Sequence, residues 1–224
     1  MSFTYVVPDL HGRADLLRDG FAAIVAHAAG RAGTIVVLGD YVDKGPDSRQ
    51  VIDIMRSGSP PGWPLFPLKG NHDAMMVEAL RDPSMMSHWL QRGGDTAIKS
   101  YGGDSSDVPP ADIEWLDRLA LMHVDRWRIY VHAGLDPELP LDRQPERTLL
   151  WKRYTEGDAA DFYGRHIVHG HDSFQDGPKL YEGRTNLDTR GWRTGRLVIG
   201  VFDDDKPGGP LDFVTVQGTR DGQP

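Results

Sequence analysis

Aspartate, histidine and asparagine recur in five short motifs, each at the end of an apolar run. They read Pro8-Asp9-Leu10-His11-Gly12, Gly39-Asp40-Tyr41-Val42-Asp43-Lys44-Gly45, Gly70-Asn71-His72-Asp73, His132-Ala133-Gly134 and His169-Gly170-His171. Carboxylate, amide oxygen and imidazole are the groups that hold hard to borderline divalent cations. Strand ends deliver side chains into a shared cleft. Singly, each motif has a plain structural explanation. Asp9 and His11 suit a solvated loop beside a helix start, Asp40 a turn rich in Asp, Gly and Pro, and a lone strand histidine a packed core position. Five motifs in this order, at successive strand ends, point instead to a centre for two cations.

The residue types suggest roles. Asp9 and His11 are two apart, and residues i and i+2 of an extended chain share a side. Asp40 follows the most apolar strand, where a carboxylate is costly unless paired or metal-bound. It has two oxygens and can bridge two cations, which neutral imidazole cannot. Asn71 offers a neutral oxygen. His72, its neighbour, faces elsewhere, as suits a group acting on substrate. His132 and His171 add nitrogens from later strands. His27, His88, His123 and His166 are read as structural.

The elements that must position these residues alternate. Thr4 to Val7, Thr34 to Leu38 and Leu65 to Leu68 read as strands. Arg13 to Ala29 and Ser48 to Arg56 carry apolar residues at helical spacing, the second with Asp47 or Ser48 as N-cap. This βαβαβ order predicts parallel strands under helices. The middle is helical and polar, over Ala74 to Leu80, Met85 to Gln91 and Asp112 to Leu121, with Gly93-Gly94 and the loop from Gly102 to Pro110 as breaks. Strands follow at Trp127 to Val131, Ile167-Val168, Lys179 to Tyr181, Thr185 to Leu187, Arg196 to Phe202 and Phe213 to Val216. Residues 1–217 are expected to form a single domain, with 218–224 a frayed polar tail.

Composition narrows the classes. With 224 residues, 39% hydrophobic and 26% charged, the chain has the make-up of a soluble globular domain. The absence of cysteine excludes disulfides, thiolate metal sites and a cysteine nucleophile. The formal net charge of −8 disfavours nonspecific binding to nucleic acid or an anionic membrane. An anionic substrate then needs local positive charge, which metal ions provide. Neither a spanning segment nor a signal peptide is legible, so the cytoplasm is the expected compartment.

The five motifs together resemble the phosphoprotein phosphatase branch of the calcineurin-like metallophosphoesterases, in particular its small bacterial serine/threonine phosphatases. The resemblance covers Tyr5 to about Val201. Trp89 with Gly93-Gly94, Thr96 and Ser100-Tyr101-Gly102, and later Thr185-Asn186-Leu187-Asp188-Thr189, match further segments of those proteins. It implies an α/β fold with a central β-sandwich flanked by α-helices and two divalent ions, Mn²⁺ favoured over Fe or Zn. One ion would take Asp9, His11 and Asp40. The other would share Asp40 and add Asn71, His132 and His171, with His169 left open as the alternative to His171. His72 would be the general acid with Asp43 as its partner, and Lys44, Arg153 and Asn71 would contact phosphate. Two departures stand out. Pro8 replaces a glycine, and Lys44 replaces an arginine, giving a point charge in place of a two-pronged clamp.

The implied activity is hydrolysis of phosphomonoesters, foremost on phosphoserine or phosphothreonine proteins and conceivably phosphotyrosine. A dinucleoside polyphosphate hydrolase is the alternative, and a non-catalytic phosphate-binding module the remote one. Expected partners are a phosphorylated protein or a small phosphoester. Asp43 and Trp151-Lys152-Arg153 favour the protein phosphatase, and Asp73 leans the other way. The His-x-His-x-Asp-His signature of a rival metallohydrolase class is absent.

Overall fold

The computed structural model describes residues 2–155 and 162–219. Two five-stranded sheets form its centre. The first has the order β10-β9-β1-β2-β3, with β1 (Phe3–Val7), β2 (Gly33–Val37) and β3 (Leu65–Pro67) parallel, and β9 (Arg196–Asp203) and β10 (Asp212–Gln217) antiparallel to their neighbours. The second has the order β4-β5-β6-β8-β7. Its parallel centre is β5 (Arg128–Val131), β6 (His166–His169) and β8 (Arg184–Asn186), edged by antiparallel β4 (Met122–Val124) and β7 (Lys179–Tyr181).

Period-two alternation sorts each strand between two apolar layers. Val6, Val36, Leu38, Leu68 and Phe202 meet Tyr130, Val168 and Leu187 between the sheets. Tyr5, Val7, Ile35 and Val37 face outward, under α1 (Ala14–Ala28) and α2 (Ser48–Ser57), where Leu17, Ile24, Val51, Ile52 and Met55 cover them. Ile129, Val131 and Ile167 pack on Leu149 of α7 (Glu146–Trp151). Burial on both faces is why the early strands read as unbroken apolar runs. Among the described residues, no helix is long and apolar enough to cross a membrane.

Some boundaries differ from expectation. Helix α3 spans Asn71–Arg81, so Asn71 and His72 lie in its first turn. The polar first turn hides it from a periodicity count, and Asp73 closes it by accepting from the Gly70 amide at 2.8 Å. The middle continues through α4 (Met86–Trp89), α5 (Asp95–Tyr101) and α6 (Pro110–Asp117). Gly93 is non-helical at φ 104° and kinks the chain between α4 and α5, at the Gly93-Gly94 break expected from the sequence. Helix α7 and α8 (Gly191–Thr194) are too short for a periodic signal. Helix α6 stops short of Leu121, because the chain turns into β4 to pair with β5.

At α2, Asp47 takes the cap position without a capping hydrogen bond, and the Ser48 hydroxyl instead accepts from the Asp43 amide at 3.1 Å. Two residues of the polar tail are described. The Gly218 amide donates to Gly195 at 2.7 Å and the Thr219 carbonyl accepts from Arg13 at 2.9 Å. Residues 220–224 of that tail lie outside the described residues.

His166 is buried against the Thr185 hydroxyl at 2.8 Å. Burial, with the Arg128 charge nearby, lowers its pKa to about 4. A histidine depressed in the fold binds its proton more readily when unfolded. Stability is therefore expected to fall as pH drops from about 6.5 to about 4. Thermal melts of the chain and of His166→Gln across that window check this, the variant showing the shallower dependence.

Candidate metal centre

The first two motifs fold as interlocked loops. The Leu10 and His11 amides donate to the Asp40 carbonyl at 3.1 and 2.7 Å, and the Gly45 amide donates to the His11 carbonyl at 3.1 Å. His11 sits at φ 42°, Asp40 at φ 53°, Asp43 at φ 72°, Lys44 at φ 65° and His171 at φ 66°. Left-handed backbone is costly for such residues and gathers at functional sites. His11 thus reaches the centre through a left-handed turn rather than through the extended alternation with Asp9 expected from spacing. Glycine is required where backbones close on these carboxylates. A Cβ on Gly70 would lie 2.1 Å from Asp40 Oδ1, and one on Gly170 would lie 2.1 Å from Asp9 Oδ1.

Asp40 is common to both clusters of potential ligand atoms, one with His11 and His72, the other with Asp9 and His132. Its Oδ2 lies 3.3 Å from His11 Nε2 and its Oδ1 3.5 Å from His132 Nε2. By proximity of these atoms alone, Asp9 lies with His132 and His72 with His11, Asp40 being shared as expected. Asp9 is drawn across by the His171 amide, at 3.2 and 3.3 Å from its two oxygens. The Asn71 oxygen lies 2.8 Å from His132 Nε2 and 3.0 Å from His171 Nδ1. His171, not His169, is therefore gathered with Asn71 and His132. His169 turns away to Arg184, 3.3 Å off, and to the Tyr154 ring.

The donor set fits divalent cations. His11 and His132 each place Nδ1 at 2.9 Å from a carbonyl, of Val42 and Leu38, which makes Nδ1 the protonated nitrogen. Their Nε2 lone pairs then face the site, the tautomer that ligation needs. His132 Nε2 and the Asn71 oxygen are both acceptors at 2.8 Å, a pairing that a cation would reconcile. His171 Nε2 is buried with no partner. The Lys44 ammonium lies 2.9 Å from His11 Nε2, a cation among these lone pairs.

The electrostatics agree. Burial raises the Asp40 carboxyl, but His132, His72, His11 and Lys44 outweigh it and hold the group below its ordinary range. Burial, with Asp188 and Asp40 alongside, pushes Asp9 well up. Burial lowers His11 and His132, and takes His171 to about 3.

His72 and Asp43 form a buried pair, His72 Nδ1 to Asp43 Oδ2 at 2.7 Å. The Trp89 indole donates to both Asp43 oxygens at 3.0 Å. Trp89 entered the sequence reading only as part of a segment resembling the family's; its contact with Asp43, made across 46 residues, had no signal in the spacing. Asp73 serves the backbone, accepting from the Asp40, Tyr41 and Gly70 amides at 2.8–2.9 Å. Asp188, buried beside Asp9 and raised by burial to about 6, belongs to a segment that carried the resemblance but had been given no role.

Above the centre lies a cavity of about 360 Å³ lined by Asp40, Asn71, His72 and His171, with Lys44, Arg92, Arg153 and Arg190 supplying positive charge and Trp151 and Trp192 aromatic walls. Lys44 and Arg153 are thus brought to the candidate phosphate side. Arg92, Arg190 and Trp192 were not anticipated as lining residues, because no spacing rule joins them.

The profile described as calcineurin-like phosphoesterase matches residues 4–202, and the chain belongs to this family of hydrolases. The sandwich is that family's α/β fold. The chain is 30% identical over 142 residues to a symmetrical bis(5'-nucleosyl)-tetraphosphatase of Pectobacterium atrosepticum, covering 62% of this chain and 45% of that protein. It is 31% identical over 91 residues to serine/threonine-protein phosphatase 1 of Salmonella typhimurium, covering 41% and 38%. The chain spans about half the length of the tetraphosphatases it matches. A crystal structure assigned as a diadenosine tetraphosphatase aligns over 97% of this chain and 94% of its own, with TM-score 0.69 and 24% identity. A cold-active protein tyrosine phosphatase aligns over 96% and 78%, with TM-score 0.57 and 18% identity. At these identities the structural likeness speaks for the fold alone.

Proposed function

We propose that the chain is a two-metal hydrolase of phosphoanhydrides that cuts dinucleoside tetraphosphates, with manganese as its metal. The observation that carries this is the ring of Lys44, Arg92, Arg153 and Arg190 on one cavity of a chain with formal net charge −8. A phosphomonoester presents one phosphate, whereas a tetraphosphate presents enough negative charge to engage all four. Trp151 also walls an adjoining cavity of about 630 Å³ lined by Ala74, Val77, Leu150, Glu78, Arg81 and Arg147, room for a nucleoside beyond the phosphates. The tetraphosphatase relatives support the same choice. The balance therefore moves from the phosphoprotein reading to its alternative, since Asp43 and Trp151-Lys152-Arg153 are compatible with both.

Asp9, His11, Asp40, Asn71, His132 and His171 would hold the two ions. When bound, these supply Lewis acidity at phosphorus and a water of lowered pKa. Asp43 accepts the Nδ1 proton of His72 and so fixes which ring nitrogen is free for the leaving oxygen. As the bond from phosphorus to that oxygen breaks and water's oxygen joins phosphorus, His72 is placed to donate a proton to the departing group. Lys44, Arg153 and Asn71 orient the phosphate under attack.

A second reading keeps one observation of its own. A diphosphate leaves readily as an anion, whereas a serine alkoxide needs a proton, so the buried His72–Asp43–Trp89 chain suits a phosphoprotein phosphatase. Manganese-loaded protein assayed on diadenosine tetraphosphate and on a phosphoserine peptide separates the two. The expected result is a preference of at least about ten-fold in kcat/KM for the dinucleotide, with ADP as product. The reverse preference would restore the phosphoprotein reading.

Chelation followed by dialysis is expected to abolish hydrolysis of p-nitrophenyl phosphate, and Mn²⁺ to restore it. Metal analysis should then find close to two ions per chain. Full activity in the chelated, dialysed protein would sink the two-metal assignment.

A further inference from the structure

Arg190 is the least expected residue at the cavity. It occupies the left-handed region at φ 56° and ψ 45°, where an arginine is disfavoured, at the start of α8. Asp188 Oδ1 holds that turn by accepting the Arg190 amide at 2.8 Å. The side chain is steered by Arg190 Nε donating to the Ser173 hydroxyl at 3.2 Å, two residues past His171. Among the described residues the paired Nη groups have no hydrogen-bond partner, on a side chain that lines the cavity. Among the described residues, no carboxylate lies within ion-pairing distance of Arg190 or Arg92, while Arg153 is paired with Asp172 at 3.4 Å. Two residues on, Trp192 is half-buried on the same cavity, its ring 5.8 Å from the Lys44 ammonium.

The pairing of arginine and tryptophan occurs twice here. Trp151-Lys152-Arg153 stands at the His171 end, with the Trp151 and His171 ring centroids 6.1 Å apart. Arg190-Gly191-Trp192 stands at the His11 end, joined to it through Lys44. Each pair offers a planar guanidinium for phosphate oxygens and an aromatic face for a base.

We infer that Arg190 and Trp192 form a second nucleotide subsite, in which the guanidinium takes the phosphates beyond the scissile bond and the indole stacks on the distal base. The inference rests on the phosphoanhydride reading and deepens it. The substrate class is a polyphosphate bearing a nucleoside at both ends, held by one arginine–tryptophan pair on each side of the metal centre. On this assignment Arg190 acts on phosphates beyond the one under attack, and so sets specificity.

The test uses Arg190→Gly, which accepts φ 56° without strain and removes the side chain with its guanidinium and its Ser173 contact, together with Arg190→Lys and Trp192→Ala. Diadenosine tetraphosphate and p-nitrophenyl phosphate are assayed on manganese-loaded enzyme, and ADP binding is measured by calorimetry. Arg190→Gly and Trp192→Ala are each expected to lower the dinucleotide-to-nitrophenyl ratio of kcat/KM about ten-fold or more, chiefly through KM, and to weaken ADP binding. Arg190→Lys should restore part of the ratio. The melting temperature of Arg190→Gly should be unchanged or higher. An unchanged ratio in Arg190→Gly overturns the subsite and leaves the phosphoanhydride reading standing. Failure of the unsubstituted enzyme to cut the dinucleotide overturns that reading and the subsite with it.

Discussion

Asp40→Asn is expected to lower kcat/KM on p-nitrophenyl phosphate by about 10³-fold or more and to leave at most one tightly held metal ion per chain. Outer-sphere changes at metal sites already cost about 10–100-fold in affinity or activity. Asp40 is the shared member of both ligand clusters, so its loss exceeds that range. Two divalent cations a few ångströms apart repel strongly in a buried site. Only a charged carboxylate between them offsets this, and a neutral amide does not. The fold should survive, because Asn retains an oxygen to accept the His72 amide, which donates to Asp40 Oδ1 at 2.9 Å. Asp9→Asn should weaken metal binding less, since Asp9 belongs to one cluster alone. Metal content by elemental analysis, turnover and a thermal melt check all three statements. Two ions and normal turnover in Asp40→Asn would remove the bridge from Asp40.

His72→Asn carries the second largest expected effect, and one that depends on the leaving group. A positioned general acid contributes about 10²–10⁴-fold where the leaving oxygen is basic. On a phosphoserine peptide the variant should lose kcat in that range. On p-nitrophenyl phosphate and on diadenosine tetraphosphate, whose leaving groups depart as stabilised anions, the loss should stay within about ten-fold. Trp89→Phe removes the indole donor at 3.0 Å from Asp43 and should reproduce the pattern in weaker form, as should Asp43→Asn. Metal content should be retained throughout. Equal losses on all three substrates would assign His72 to phosphate or water positioning instead.

The outline of the fold was legible because it is written locally. Val6, Val36 and Leu38 lie in runs apolar enough to be buried on both faces, and α1 and α2 carry a clear helical stripe. Where a segment is short or its first turn polar, as in α7, α8 and the start of α3, periodicity has too few positions to register. Ligand chemistry was legible for a related reason. Asp, His and Asn at strand ends declare themselves by type, whatever their final geometry.

Which atoms meet is a different matter, because such contacts leave no mark on spacing. Asp9 is turned toward the His171 amide, His169 toward Arg184, and Asp73 toward three backbone amides. The left-handed turns at His11, Asp40 and His171 aim side chains in directions that strand alternation does not allow. Arg92 and Arg190 look like ordinary surface charges in the chain, and only the folded cavity shows them facing one centre with Trp151 and Trp192. Residue type decides what chemistry a chain can hold, and is set by the sequence itself. The register of two sheets and the hydrogen bonds of the loops between them decide which of those residues converge, and these exist only once the chain has closed on itself.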